Sequence, residues 1–423
     1  MSAEFKRVCT IGLCIAVTTL AACSHRQPTV VSPWSPKAAA AYLDQRETTW
    51  MAWPSAARDH GTFCVSCHTV LPYVLSRPAL RSVLAEQGPS DQERKILEDV
   101  TERVRLWNQV GPYYTDDGYG NGKPAESRGT ESVLNALILA SNDARVGKTS
   151  QLTHAAFNNM WALQLTDGPT KGAWAWLQFG MEPWEATDSP YYGAALAAIA
   201  AGIAPENYSA TPEIQTRLSL LRNYLRRESE NQSMLNRVVL LWASVKLPGL
   251  LSSSEQQSII REIKRAQEAD GGWELSTHAW PDGWSLHSIV RRHLRSDWSR
   301  QNGGSDGYAT GLITFVLQES GMSAQDLVVQ QGVSWLASHQ NQEDGAWPSL
   351  SLTKRRELSS QIGHFMRDAA TAYAVLALTE QNAPAAHESA TNCSAKTPPF
   401  TSATESRDCN PRIPSATEER ANF

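Results

Sequence analysis

The sequence predicts an all-α fold, and two observations support that prediction. Between about residues 37 and 383, apolar residues recur at helical spacing, with almost none of the apolar–polar alternation that marks a half-buried strand. Two kinds of helical segment also alternate along the chain. One kind is apolar around most of its circumference, which indicates a buried helix, and the other is amphipathic. Helix pairs repeated in this way form either a closed ring or a solenoid.

The segments predicted to be buried are rich in small residues and occur once in each helix pair. They are residues 130–139, 191–199, 234–242, 308–317 and 370–378. The amphipathic segments lie between them, at about 151–165, 212–227, 254–268 and 325–340. We therefore expect about five helix pairs between residues 125 and 383, with the buried helices inside and the amphipathic helices outside.

Three of the turns between these pairs contain a glutamine, a glycine and a tryptophan. Residues 267–273 read Gln-X3-Gly-X-Trp, residues 340–347 have one extra residue, and residues 164–174 are a longer version. In such a turn the glutamine can cap a neighbouring helix end, the glycine permits a tight bend and the tryptophan packs across the outer helices. The turns resemble the QW repeats of squalene and hopene cyclases and of related prenyltransferases. This resemblance implies an α/α toroid with an apolar central cavity.

The resemblance does not extend to the catalytic motifs of those enzymes. Triterpene cyclases carry Asp-X-Asp-Asp-Thr at a helix start where residues 367–372 of this chain read Arg-Asp-Ala-Ala-Thr-Ala. The zinc site of the protein prenyltransferases needs a cysteine, and none occurs between Cys67 and Cys393. A degenerate terpenoid cyclase is therefore the least favoured interpretation, and prenyl transfer is not expected.

Ahead of the helix pairs, residues 64–68 read Cys-Val-Ser-Cys-His. Two thiols at this spacing can both reach the vinyl groups of a porphyrin, and the adjacent imidazole can bind the iron. A thioredoxin-like pair would need a βαβ context, and a zinc site would need a second ligand pair, neither of which is present. The pattern predicts one covalent haem c, attached to Cys64 and Cys67 with His68 as an axial ligand.

We place this motif in a haem-binding segment of residues 37–110, with helices at 37–50 and 91–109, docked against the toroid. The sixth iron ligand decides the chemistry, because His or Met favours electron transfer and an open position favours oxygen or peroxide chemistry. His60 and Met51 are candidates by proximity. More distant candidates are His278, His287, His293 and Met181.

The N-terminus has the features of a secretory signal peptide over residues 1–22. Lys6 and Arg7 precede an apolar run of residues 8–22, which is shorter than the roughly 20 apolar residues of a membrane span. The ending Leu-Ala-Ala-Cys resembles the lipobox of bacterial lipoproteins. That resemblance implies acylation of Cys23 and, with Ser24 next, an outer-membrane location. The alternative is an ordinary signal peptide whose cleavage leaves a soluble periplasmic protein.

The two ends of the chain are predicted to lie outside the folded domain. Residues 23–36 contain three prolines and are expected to form a tether. Residues 384–423 are rich in Ser, Thr, Ala and Pro and are expected to be disordered, with Cys393 and Cys409 able to form a disulfide in an oxidising compartment. The net charge of -5 offers no basic surface for nucleic acid.

Polar and aromatic residues gather at the predicted helix starts, which in a toroid face one mouth of the cavity. Because ligand pockets combine apolar walls with few polar groups, these residues form a candidate pocket. They are Glu131, Trp174, Trp176, Glu182, Trp184, Asp188, Tyr191, Tyr192, Trp273, Trp280, Asp282, Trp284, Asp306, Tyr308, His364 and Asp368. Two structural roles are the alternatives to a pocket. Asp188, Asp306 and Asp368 could instead cap helices, and the tryptophans could instead pack in the QW turns.

These observations together predict a membrane-anchored, periplasm-facing c-type haem protein. Its expected work is electron transfer with a redox partner, or haem-dependent oxidation of an apolar or aromatic ligand held in the toroid. The alternative is a non-catalytic ligand-binding or scaffold lipoprotein in which the haem has a structural or sensing role.

Overall fold

The structure is a computed structural model that describes residues 34–278, 304–353 and 356–380. Within these residues the regular structure is helical, with thirteen α-helices and no strand. The helices are α1 (Pro36–Met51), α2 (Val70–Val83), α3 (Asp91–Arg105), α4 (Lys123–Val146), α5 (Gln151–Ala162), α6 (Ser189–Ile203), α7 (Gln215–Glu228), α8 (Met234–Lys246), α9 (Ser253–Arg265), α10 (Leu275–His278), α11 (Gly307–Glu319), α12 (Leu327–Ser338) and α13 (Gln361–Glu380). The prediction of an all-α protein is confirmed.

Six of these helices form a closed inner ring. In ring order they are α2, α4, α6, α8, α11 and α13, and each contacts the next, with α13 returning to α2. Helices α1, α3, α5, α7, α9 and α12 lie outside, each packed on an inner helix. The part of the chain that the structure describes is therefore an α/α toroid.

The five segments predicted to be buried all lie in inner helices, and their small residues explain how closely the helices pack. A Cβ atom on Gly311 of α11 would lie 2.6 Å from the backbone nitrogen of Ala374 in α13. A Cβ atom on Gly202 of α6 would lie 2.3 Å from the carbonyl oxygen of Lys246 at the end of α8. Small side chains thus allow neighbouring inner helices to approach almost backbone to backbone.

The ring differs from the prediction in having six helix pairs rather than about five. The sixth inner helix is α2, which follows the Cys-X-X-Cys-His motif inside the segment that we expected to dock beside the toroid. This helix was not predicted because Pro72 lies in its first turn and Pro78 inside it, and proline interrupts a helical pattern. The segment of residues 37–110 is therefore a part of the ring itself.

The QW turns join neighbouring outer helices by hydrogen bonds, as expected for their glutamines. In the turn after α12, the Gln340 side-chain amide donates to the carbonyls of Gly345 (2.8 Å) and Ser35 (3.1 Å), and the Ser35 backbone N–H donates to Gln340 Oε1 (2.6 Å). The Trp347 indole donates to Leu336 at the end of α12 (2.7 Å). Because Ser35 is the N-cap of α1, this turn links the last outer helix to the first.

The other two QW turns repeat the same bonds. Gln164 donates to the carbonyls of Gly172 and Arg217, both at 3.0 Å, and Gln267 donates to those of Gly271 (2.8 Å) and Val328 (2.9 Å). In each case the second acceptor lies in the next outer helix along the chain, α7 or α12.

Several predicted features lie wholly or partly outside the described residues. They include the signal peptide, Cys23, and residues 384–423 with Cys393 and Cys409. They also include three pocket candidates, Trp280, Asp282 and Trp284. The last residues of the predicted tether belong to the fold, since Trp34 packs on Trp347 with ring centroids 6.0 Å apart. Among the described helices, none has both the length and the apolar character needed to cross a membrane.

The glycine of the closing turn provides a test of this architecture. Gly345 has a φ of 79°, and a Cβ atom there would lie 2.4 Å from the carbonyl oxygen of Ala38 in α1. Gly249 has a φ of 76° but no neighbouring atom within 4 Å. We expect Gly345→Ala to lower the free energy of unfolding by about 1–3 kcal/mol more than Gly249→Ala. Both substitutions place an alanine at a strained positive φ, but only at Gly345 does the added methyl group also clash with a neighbouring backbone atom. Urea denaturation of the two variants measures this difference, and equal losses would contradict the closing role of the turn.

Candidate functional site

The Cys-X-X-Cys-His motif lies directly before α2, at the end of the toroid where the inner helices α2, α6, α11 and α13 begin. Ser66 inside the motif accepts hydrogen bonds from the backbone N–H groups of Thr69 (3.2 Å) and Val70 (3.1 Å), so the motif also caps α2. Cys64 and Cys67 are 4% and 1% exposed.

Burial makes both cysteines neutral thiols. It raises the pKa of Cys64 to about 12 and that of Cys67 well above its usual range. A thiolate is the form that attacks disulfides and binds zinc, and it is disfavoured at both positions. Among residues 34–278, 304–353 and 356–380, no three His, Cys, Asp or Glu side chains come together as a metal-binding group. The motif therefore has the chemistry of two neutral thiols beside a histidine.

The loop before the motif is fixed by a buried ion pair. Arg103 of α3 and Glu131 of α4 are both fully buried, with Nε and Oε1 2.5 Å apart. Arg103 also donates to Thr62 Oγ1 (2.9 Å), and Asp99 accepts from the backbone N–H of Phe63 (2.7 Å). A buried charge has to be paired to offset its desolvation, so this network holds the loop in one position. Glu131, a pocket candidate, contacts Arg103 in this network.

His68 is surrounded by aromatic side chains. Its ring stacks on that of Phe365 with centroids 3.6 Å apart, and the rings of Trp50 and Trp184 lie at 5.3 and 5.6 Å. Burial, followed by the charge of Arg46, lowers the pKa of His68 to about 3. The imidazole is therefore neutral at physiological pH, which is the form that binds metals.

One ring nitrogen of His68 is held by a chain of hydrogen bonds. Nδ1 lies 2.9 Å from Thr69 Oγ1, and Thr69 Oγ1 donates to Asp368 Oδ2 at 2.9 Å. Tyr42 (2.8 Å) and Arg46 Nε (2.9 Å), both on α1, donate to Asp368 Oδ1. Asp368 was predicted as a pocket residue or a helix cap. The cap interpretation is wrong, because α13 begins at Gln361 and Asp368 lies inside it, in this buried network.

Several predicted pocket residues meet on the inner side of the motif. The Trp184 indole donates to the Tyr308 hydroxyl (3.1 Å), and the Tyr308 and Tyr373 rings lie 5.5 Å apart. Tyr192 lies beside them, and burial, with a smaller contribution from Cys67, raises the pKa of all three tyrosines. Burial is the main cause of these shifts, so the hydroxyls are neutral. This side of the site is aromatic and uncharged.

Other pocket candidates lie elsewhere or support the site indirectly. Two tryptophans belong to the QW turns: the Trp174 indole donates to the carbonyl of Met160 (2.6 Å), and the Trp273 indole donates to that of Ile263 (3.0 Å). The Tyr191 hydroxyl donates to the carbonyl of Leu225 in α7 (2.7 Å). Asp306 is the N-cap of α11. The Trp176 indole supports Trp184 by donating to its carbonyl (2.8 Å). Glu182 and Asp188 lie in the segment before α6. His364 is adjacent in sequence to Phe365, which stacks on His68.

The sixth-ligand candidates differ in environment. The His60 side chain is 45% exposed, and its Nδ1 lies 3.4 Å from Asp59 Oδ2. Met51 ends α1 next to Trp50 and is partly buried against the core.

Glu185 is a site residue that the sequence analysis missed. Burial raises the pKa of its carboxyl to about 8, although the nearby charge of Lys123 lowers it in part. After burial itself, Glu185 is a further cause of the raised pKa of both cysteines. It lies in the irregular segment before α6, where no periodicity shows which side chains face inward. The only sequence signal is a second glutamate in the run Glu182-Pro183-Trp184-Glu185.

No protein-family model and no curated protein matches the chain. Among solved structures it is similar to a polysaccharide lyase (11% identity, TM-score 0.48, 82% of this chain and 97% of that chain). It is also similar to a glycosyl hydrolase family 88 protein from Bacteroides vulgatus (12% identity, TM-score 0.48, 82% and 97%) and to a wild-type glycosidase (13% identity, TM-score 0.43, 82% and 98%). At this level the likeness is one of helix arrangement alone and carries nothing about activity.

The buried acid makes a prediction about stability and pH. Because the pKa of Glu185 is raised from 4.5 to about 8, its neutral form is favoured in the folded protein, and stability is lost as pH rises from about 4.5 to about 8. We expect Glu185→Gln to be more stable than wild type by about 1 kcal/mol at pH 5 and about 3 kcal/mol at pH 7.

Urea denaturation across this pH range measures the effect, with Glu213→Gln at an exposed position as the matched control. A difference from wild type that does not grow between pH 5 and pH 7 would show that Glu185 is not a buried neutral acid.

Proposed function

We propose that the chain is an exported, lipid-anchored c-type haem protein, with one haem attached to Cys64 and Cys67 and with His68 as an axial iron ligand. The observation that carries this proposal is the state of His68. Its Nδ1 is engaged by Thr69 and its imidazole is neutral, which leaves Nε2 as the nitrogen able to bind iron. Two neutral thiols lie at the spacing needed for thioether attachment.

The residues present fit a covalent haem in their donor chemistry and in their surroundings. Haem bound here would supply one-electron redox chemistry at iron. Since Cys64, Cys67 and His68 are at most 4% exposed, attachment requires the side chains that cover them, Phe365 first, to move aside. Trp50 and Trp184 would then help to exclude water from the porphyrin.

Electron transfer is the function that this environment supports best. On the inner side of the motif, Trp184, Tyr192, Tyr308 and Tyr373 are nearly completely buried and pack together. An uncharged aromatic wall beside the motif suits a cofactor that exchanges electrons with a redox partner, because an apolar surrounding limits the access of water to the metal. Oxidation of an apolar or aromatic ligand is the second function to test, and an open sixth position at the iron would favour it.

The proposed location rests on the sequence alone. The signal-like N-terminus and Cys23 support export and attachment to a membrane through lipid, with the domain facing the periplasm. Covalent haem attachment requires that same export.

An optical spectrum tests this function. We expect the full chain, purified from a host competent in c-type haem maturation, to show haem bands that persist after acid–acetone extraction and do not change when carbon monoxide is added to the reduced protein. The Cys64→Ala/Cys67→Ala double variant is the matched control and should lose the bands on extraction. A carbon monoxide complex in wild type would replace electron transfer with chemistry at iron, and a wild-type protein without haem bands would overturn the proposal.

A further inference from the structure

We propose that Asp368, acting through the hydroxyl group of Thr69, is a positioning residue that fixes the tautomer of His68 and increases the electron density on its other nitrogen. In its consequence for iron, this inference rests on the proposed function of His68 as the haem ligand. Its first part, the tautomer, is a property of the polypeptide alone.

The direction of the hydrogen bonds follows from the number of protons available. The Thr69 hydroxyl has a single hydrogen, and the carboxylate of Asp368 can only accept, so this hydrogen points to Asp368 (2.9 Å). The hydroxyl oxygen is then the acceptor for His68, whose Nδ1 lies 2.9 Å away. His68 therefore carries its proton on Nδ1 and its lone pair on Nε2.

The carboxylate is well fixed as an acceptor. Arg46 forms two hydrogen bonds to Asp368, from Nε at 2.9 Å and from Nη2 at 3.2 Å, and Tyr42 donates at 2.8 Å. Arg46 is held in turn by Gln361 at 2.9 Å. Asp368 and Arg46 are both buried, and a buried charge held by several donors keeps one orientation. The Thr69 hydroxyl thus has a carboxylate acceptor that is held in one orientation.

A metal-binding histidine whose second nitrogen donates toward a carboxylate is a stronger base than one that donates to a neutral group. In this site the threonine hydroxyl transmits that effect. With iron on Nε2, the chain from Asp368 would favour the more positively charged, oxidised iron and would lower the reduction potential.

Asp368 also has a structural role that has to be separated from this one. It joins α1 to α13 through Arg46 and Tyr42, and changing it leaves a buried arginine without its partner. Thr69 offers the separation, because Thr69→Val removes only the hydroxyl between Asp368 and His68. Thr69→Ser keeps the hydroxyl and is the matched control, and Thr69→Ala is a second variant without it.

The experiment uses the full chain, prepared with and without haem maturation. In the protein without haem, 15N NMR of labelled histidine reports the tautomer of His68, assigned by comparison with His68→Gln. We expect the Nδ1–H tautomer in wild type and Thr69→Ser, and a shift toward the Nε2–H tautomer in Thr69→Val and Thr69→Ala. In the haem-loaded protein, we expect Thr69→Val to shift the oxidised-to-reduced equilibrium about tenfold toward reduced iron, which is about 59 mV for one electron.

Each result decides one question. A wild-type His68 protonated on Nε2, or a tautomer unaffected by loss of the hydroxyl, would overturn the inference. A reduction potential that is the same in Thr69→Val and Thr69→Ser would overturn its consequence for iron. A chain that retains no haem would instead overturn the proposed function, and the tautomer measurement would still decide the role of Thr69 and Asp368.

Discussion

The buried carboxylate of Asp368 is the interaction on which the rest of the site depends. It lies on α13, next to α2 in the ring, and it accepts hydrogen bonds from Arg46 and Tyr42 on α1 and from Thr69 at the start of α2. A carboxylate is costly to bury unless each oxygen is paired, and here both are. The same contacts that join α1 to α13 therefore orient the histidine of the Cys-X-X-Cys-His motif.

The hydrogen bonds to Asp368 also argue against the terpenoid cyclase interpretation of the sequence. Asp368 lies about two turns inside α13, at the sequence position that we compared with the acidic motif of those enzymes. A proton donor there needs neighbouring carboxyl groups to hold its proton, but Asp368 is bound by a guanidinium group, a phenol and a hydroxyl that all donate to it. In all of these hydrogen bonds Asp368 is the acceptor.

The sequence was enough to predict the two layers of helices and the role of the QW turns, because both depend on local patterns. It was not enough for α2, since prolines mask its helical pattern, and the sixth helix pair was missed for that reason. The pocket candidates show a related limit. Tyr191 and Tyr192 are adjacent in sequence, yet one donates to the outer helix α7 and the other lies beside Tyr373 in the interior. A helix start shows which end of the toroid a residue occupies, but not which neighbours it contacts. Arg46 and Asp368 are 322 positions apart, and no periodicity relates them.

The function proposed for this site requires that Cys64 and Cys67 carry a porphyrin. The most direct measurement is mass spectrometry of the proteolytic peptide that contains residues 64–68, taken from protein produced in a host competent in haem maturation. We expect a peptide heavier by one haem, with both cysteines resistant to alkylation after reduction. A peptide of unmodified mass, whose two cysteines are alkylated after reduction, would contradict it.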